Sequence, residues 1–205
     1  MKLQHCARFA AAATLFFAAA AQAQGDDWLV KLGVHTVDPK SDNGTLAGGA
    51  LRADVGSDTG VTISAERFVT PDWGVELLAA LPFEHDVKLN GTKAATVKHL
   101  PPTASLQYHF NADGTISPFV GVGINYTTFF DAKTSGPLSG TKLSLSNTWG
   151  PAAHAGVDFR IDKHWLVSVD ARWMKIDPDA RVDGAKVGTV HIDPLAYGVA
   201  VGYRF

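Results

Sequence analysis

The sequence predicts an all-β protein, a single eight-stranded antiparallel transmembrane β-barrel of the outer-membrane type. Three observations predict it. Eight segments alternate bulky apolar residues with small or polar ones, the period-2 pattern of a strand with two unlike faces. The connections run long, short, long, short, long, short, long, which puts both chain ends on the short-turn side of an even-stranded barrel. Aromatic residues collect at both ends of the segments, as the two water–lipid interfaces of a bilayer select.

The elements follow in order. The first strand, 28–37, sets Trp28, Val30, Leu32 and Val34 against Lys31, Gly33 and His35. The second, near 59–68, sets Val61, Ile63 and Ala65 against Thr62, Ser64 and Glu66. In the third, 73–83, the bulky face runs from Trp73 through Val75 and Leu77 to Leu81 and Phe83, opposite Gly74, Glu76, Leu78 and Ala80. The fourth, 100–110, opposes Leu106, Tyr108 and Phe110 to Ser105, Gln107 and His109. The fifth, 117–130, opposes Val120, Val122, Ile124 and Tyr126 to Gly121, Gly123, Asn125 and Thr127. The sixth, 149–159, opposes Ala153, Ala155, Val157 and Phe159 to His154, Gly156 and Asp158. The seventh, 165–176, opposes Trp165, Val167, Val169 and Trp173 to Ser168, Asp170 and Arg172. The eighth, 195–205, alternates Leu195, Tyr197, Val199, Val201, Tyr203 and Phe205 with small residues and Arg204. Short connections at 69–72, 111–116 and 160–164 carry the Asp, Asn, Gly or Pro of tight turns. Long loops are expected at 38–58, 84–99, 131–148 and 177–190.

Charge decides which face meets lipid. Lys31, Glu66, Glu76, Asp158, Asp170, Arg172 and Arg204 all fall on the small-residue face. A soluble barrel of lipocalin type would carry its charges outside and its apolar face within. Here the charges are expected to pair in a narrow bore that side chains nearly fill, which leaves no room for a wide aqueous pore. Arg67 and Phe68 reverse the pattern at one strand end.

Lys2 and Arg8 precede an apolar stretch that ends in Ala21–Gln22–Ala23, the layout of a secretory signal peptide. Residues 1–23 are therefore expected to be removed and 24–205 to form the barrel, exported to the outer membrane of a Gram-negative bacterium. Cys6 lies in the signal, so no disulfide is expected. The net charge of −2 gives no electrostatic case for nucleic acid as a partner. Partners are instead outer-membrane lipids and, through the terminal aromatic strand, the outer-membrane assembly machinery.

Catalysis is not expected. His154 and Asp158 share a face, but four residues along a strand span about 13 Å, too far for a hydrogen bond. With Ser168 and Asp170 they could suggest a Ser–His–Asp grouping, although lumen filling accounts for all four. The eight histidines show no metal-ligand spacing, and no cofactor motif occurs.

"HLPPT" (99–103), "PFVGVGINYTTFFD" (118–131), Trp149–Gly150, "GVDFRIDKHWLV" (156–167) and the closing "GYRF" resemble the OmpW/AlkL family. The resemblance implies an eight-stranded outer-membrane barrel that lets small hydrophobic molecules through, alkanes in some members; others are phage or colicin receptors. It also implies apolar residues narrowing the bore on the third and seventh strands. Leu78 matches the first, whereas Arg172 stands where an aromatic is expected. Arg172 would then pair with Glu76 or Asp170.

Two sets of candidate residues result. Leu78, Phe129, Arg172, Met174 and Ile176 would line or gate a pocket open to the long loops, or else simply pack the bore. Pro101 and Pro102, joined at strand ends by Pro82, Pro151 and Pro194, each remove a ladder donor. They would either weaken a seam for sideways exit of an apolar solute or end pairing where strands already rise above the membrane. The remaining alternatives for the whole protein are a non-conducting receptor or stress-related surface barrel, and an enzyme acting on lipid.

Overall fold

The computed structural model describes residues 28–205; the expected signal peptide lies outside the described residues. In chain order the strands are β1 (Trp28–Asp38), β2 (Thr45–Leu46), β3 (Leu51–Val55), β4 (Asp58–Phe68), β5 (Trp73–Ala80), β6 (Phe83–Leu89), β7 (Thr92–Leu100), β8 (Thr103–His109), β9 (Ile116–Thr134), β10 (Leu143–Leu145), β11 (Thr148–Arg160), β12 (Trp165–Met174), β13 (Asp179–Val182), β14 (Ala185–Thr189) and β15 (Leu195–Arg204). Eight of them make the barrel in the order β1, β4, β5, β8, β9, β11, β12, β15, all antiparallel. The β1–β15 ladder closes it, from Leu29 opposite Arg204 to Asp38 opposite Leu195. Closure matters in lipid because an open edge would leave backbone donors and acceptors with no partner.

The wall is inside-out relative to a water-soluble protein. Leu32, Val122, Ile124, Val199 and Val201 are exposed on the outer surface, while Lys31, Glu66, Gln107, Ser168 and Arg172 are buried within. Such an arrangement is stable only where the surrounding solvent is hydrocarbon. Aromatic rings mark both rims. Trp73, Tyr108 and Phe110 make one contact chain and Trp165, Tyr203 and Phe205 another at the short-turn side, with centroids 4.9–5.1 Å apart. Tyr126 and Trp149 pack against each other at the opposite rim, tilted by 42° with centroids 4.6 Å apart. The parity reversal at 67–68 is real and local. Arg67 lies outside, over the Trp28 ring, while Phe68 turns into the bore beneath Arg204, 4.5 Å from its guanidinium.

Above the Tyr126–Trp149 rim the structure departs from the expected pattern. The third predicted strand does not run unbroken to residue 83: β5 stops at Ala80, and β6 starts anew at Phe83 after Leu81–Pro82. Likewise the fourth begins at Thr103, and Leu100 belongs to β7. Phe83, expected on the lipid face, is 2% exposed and faces inward, because the break at Pro82 resets the alternation. The stretch 84–99 is a β-hairpin rather than a loop. Asn90 and Gly91 form its two-residue turn, both with positive φ (49° and 82°), as a type I′ turn demands. Asp183 and Gly184 repeat the device between β13 and β14 (φ 50° and 86°). β10, β13 and β14 form a three-stranded sheet from two of the other three long loops, the third (38–58) holds β2 and β3, with β3 paired to β6, and β9 runs on to Thr134 to pair with β7.

A bore closed by charge beneath an apolar chamber

The membrane-embedded part of the bore is a network of paired polar groups. Lys31 Nζ donates to both Asp158 oxygens (2.8 and 3.1 Å) and sits 4.4 Å from the Phe119 ring centroid. The Glu66 carboxylate accepts from Gln107 Nε2 (3.0 Å) and contacts His109 Nε2 (3.0 Å). His154 Nε2 donates to Gln107 Oε1 at 2.7 Å. Higher up, Arg172 Nη2 donates to Glu76 Oε1 at 2.7 Å, and His35 bridges Thr62 and Asp170. Between Glu76 and Asp170 as partners for Arg172, the choice falls on Glu76, since His35 occupies Asp170. Glycines make this crowding possible: a Cβ at Gly121 would strike the His154 ring, and one at Gly198 would strike His35. Each pair is buried, so its members depend on one another; losing either leaves an uncompensated charge in a dry bore.

The four residues of the imagined Ser–His–Asp grouping are dispersed among other partners. Asp158 and Ser168 face Lys31, Asp170 faces His35 and His154 faces Gln107. A carboxylate–imidazole–hydroxyl run does occur at Glu66, His109 and Ser117 (His109 Nδ1 to Ser117 Oγ 3.3 Å). The Ser117 side chain is buried in the filled bore.

Above the Arg172–Glu76 pair the filling turns apolar. Met174, Ile176, Val37 and Phe83 pack into one buried cluster with Ala196 and Ile192. Beneath it a small recess with ≈ 340 Å³ of empty space is lined by Leu78, Ala80, Phe83, Pro101, Met174 and Arg172, among others. Above it the loop strands enclose a larger cavity of ≈ 760 Å³, its mouth included. Leu46, Leu51, Leu89, Phe129, Leu145, Val187 and Ile192 contribute to its wall, which is hydrocarbon apart from the imidazoles of His85 and His99. Both rings lie above the outer aromatic rim. Burial holds His99 down to about 3, with the neighbouring His85 adding to the effect, and burial lowers His85 as well.

Of the expected gate residues, Phe129 lines the large cavity and packs against His99 (5.9 Å), while Leu78, Arg172 and Met174 surround the small recess. Ile176 is sealed in the cluster between them. Pro101 is buried at the recess, and Pro102 lies beside it where the wall is discontinuous. The β5–β8 ladder ends at Leu78 opposite Thr103, and the β6–β7 ladder begins at Phe83 opposite His99. Between them, 79–82 and 100–102 face each other without ladder bonds. The freed carbonyls of Pro101 and Pro102 instead accept from the Asn125 side-chain amide (3.1 and 3.2 Å), and Pro102 also from the Tyr126 amide (3.0 Å).

The chamber-lining residues of the loops escaped the sequence reading. Their signal was present in the apolar alternation on both sides of Asn90–Gly91 and in the Asp183–Gly184 turn.

Comparison with known proteins agrees with this architecture. The model of the OmpW family matches residues 23–205. Outer membrane protein W of Escherichia coli (strain K12) is 37% identical over 206 residues, covering 95% of this chain and 96% of its own. Outer membrane protein AlkL of Ectopseudomonas oleovorans is 30% identical over 194 residues, covering 87% of this chain and 82% of its own. The crystal structure of the outer membrane protein OprG from Pseudomonas aeruginosa superposes with a TM-score of 0.78 at 34% identity, covering 87% of this chain and 95% of that one.

Proposed function

The chain belongs to the OmpW family of outer-membrane β-barrels of Gram-negative bacteria, and on that premise we propose that it gives small hydrophobic molecules a passive route into the membrane. The observation that carries the proposal is the contrast in filling: an apolar cavity on the loop side, ≈ 760 Å³ with its open mouth counted, stands above a bore occupied by buried ion pairs. An apolar solute gains by leaving water for the cavity. It cannot go straight down without separating Arg172 from Glu76 in a medium that offers neither charge another partner. The recess at Leu78, Pro101 and Met174 lies beside the ladder gap at 79–82 and 100–102, which stands level with the outer aromatic rim, since the Pro102 carbonyl accepts from the Tyr126 amide; a solute leaving through it would enter the outer edge of the bilayer. Entry from above and exit sideways needs no cofactor and no chemical step. The family resemblance, with AlkL at 30% identity, implies the same class of solute.

Replacing Pro101 and Pro102 together with alanine restores two backbone donors at the gap. Uptake of a medium-chain alkane by cells making this variant is expected to slow relative to the parent. Unchanged uptake with an intact barrel would remove the sideways route. Cells with and without the protein that take up alkane equally would leave its outer loops, as a receptor surface for phage or colicin, the better reading. Two further steps belong to the same proposal: removal of residues 1–23 on export, readable from the mass of the mature chain, and recognition of β15 with Phe205 by the assembly machinery.

A further inference from the structure

At one place the wall of the chamber is a single side chain thick. Between Ser41 and Ala50 only Asn43 and Leu46 are buried. Asn43 is fixed by polar contacts. Its side chain donates to the His191 carbonyl (2.9 Å) and accepts from the Val55 amide (2.7 Å), and its own carbonyl accepts from the His191 amide (3.0 Å). Leu46 is held differently. It lies in the two-residue strand β2, whose ladder to β3 consists of Thr45 opposite Arg52 and Leu46 opposite Leu51. Its side chain lines the cavity and joins the buried apolar cluster, while Thr45 before it and Ala47 to Ala50 after it are exposed.

β14 stands across from β2 in the other loop sheet, and no ladder joins the two strands. Leu46 instead fills a notch there: a Cβ at Gly188 would lie 2.7 Å from Leu46 Cδ2. The backbone that follows is unusual. Ala47, Gly48 and Gly49 all have positive φ (53°, 68° and 97°), a region in which alanine is strained. A Cβ at Gly48 or Gly49 would meet nothing within 4 Å. The segment thus has two glycines free to turn, one strained residue that gains by turning, and one apolar side chain that keeps it seated.

We propose that Leu46 is the stopper of the chamber: an apolar solute enters from water between β2 and β14 as Leu46 leaves the Gly188 notch, with Ala47–Gly49 as the hinge. The burial of one leucine weighs about tenfold to a hundredfold in an equilibrium, so the open form is a minor state that is still populated. The exchange favours apolar solutes. A displaced Leu46 leaves hydrocarbon facing water, and an alkyl chain in the seat restores the lost burial where a polar molecule does not. This inference rests on the cavity being the entry site for solutes.

The test compares decane uptake by cells making equal amounts of the parent, Leu46→Ala or Leu89→Ala. Leu89 lines the same cavity but is laddered on both sides, to Ala53 and to Thr92. Both leucines lie outside the eight-strand wall, so neither change removes a pair from the barrel. Leu46→Ala is expected to quicken uptake about tenfold, whereas Leu89→Ala, which enlarges the cavity by as much, should leave the rate unchanged. Equal acceleration by both would overturn the proposal, since cavity size and not the seam would then set the rate. No acceleration by Leu46→Ala, with parent uptake still above that of cells lacking the protein, would also overturn it and leave the uptake reading standing. Parent uptake equal to that of cells lacking the protein would remove the uptake reading and this inference with it. A second measurement is independent of transport. On intact cells Leu46→Cys should react with a membrane-impermeant maleimide about tenfold faster than Leu89→Cys, and equal rates would mean that the seam does not open.

Discussion

The two halves of the interior solve the same problem in opposite ways. On the short-turn side, eight strands bring facing side chains so close that Lys31–Asp158, Glu66–Gln107–His109 and Arg172–Glu76 fill the bore with mutual hydrogen bonds. On the loop side, the wall strands give way to a hairpin and a small sheet, whose Leu89, Leu145, Val190 and Ile192 surround empty space. The lower half is held by specific pairs, each needing its partner. The upper half is held by non-directional burial and tolerates a hole. A barrel too narrow to be a pore can therefore still present a binding chamber, provided the chamber is built above the membrane rather than within the bore.

The contrast can be broken most severely from below. Arg172→Met leaves Glu76 buried and unpaired and should destabilise the barrel by about 3–5 kcal/mol, read as a lowered denaturant midpoint in detergent. Adding Glu76→Gln should recover most of that loss. If the single variant proves as stable as the parent, the lower half is not held by pairing. From above, Leu145→Asp puts a charge into the cavity wall. Alkane uptake should fall by about tenfold or more, for the cost of desolvating an unpaired carboxylate beside the solute, with the barrel's denaturant midpoint almost unmoved. A matching fall in barrel stability would mean that the halves are not separable.

Acid should loosen the upper half alone. Burial favours the neutral form of His99, so its contribution is complete above the ordinary histidine value near 6.5 and is lost as pH falls towards its lowered value of about 3. His85 stacks against it, and Asp58 in turn acts on His85. After correction for the pH dependence of intrinsic exchange, the protection of amides in β6 and β7 is expected to fall by up to roughly tenfold per pH unit between about 6.5 and about 3, while β1 and β12 keep theirs. Uniform protection across both regions at pH 5 would contradict this. The smallest effect is expected at the surface of the loops. Lys175→Met removes one of two lysines on Asp193 and should cost under about 1 kcal/mol, measured by the same denaturant titration.

The lower half was readable because two solvents constrain it at once. Hydrocarbon outside and a packed bore inside leave every residue of β1, β12 or β15 one permitted face, and a period of two follows. Register across the bore was harder. Shared parity offered Arg172 both Glu76 and Asp170, and only the three-dimensional position of His35 removes Asp170 from the choice. The upper half is hidden from an alternation that runs straight through Pro82 and Pro101–Pro102, since that places Phe83 in lipid instead of the waist. Length alone marks these connections as loops, although Asn90–Gly91 and Asp183–Gly184 carry the chemistry of hairpin turns. The stacking of His85 on His99 is the least legible feature: neither residue stands out in sequence, and the two rings meet only once β6 and β7 pair.

The β1–β15 ladder has a consequence for biogenesis. It joins residues 28–38 to 195–204, the largest sequence separation the wall contains. No nascent fragment can close the cylinder, so order of synthesis gives the first strand no advantage. It must remain unpaired on one side, shielded from both aggregation and lipid, until the last strand arrives.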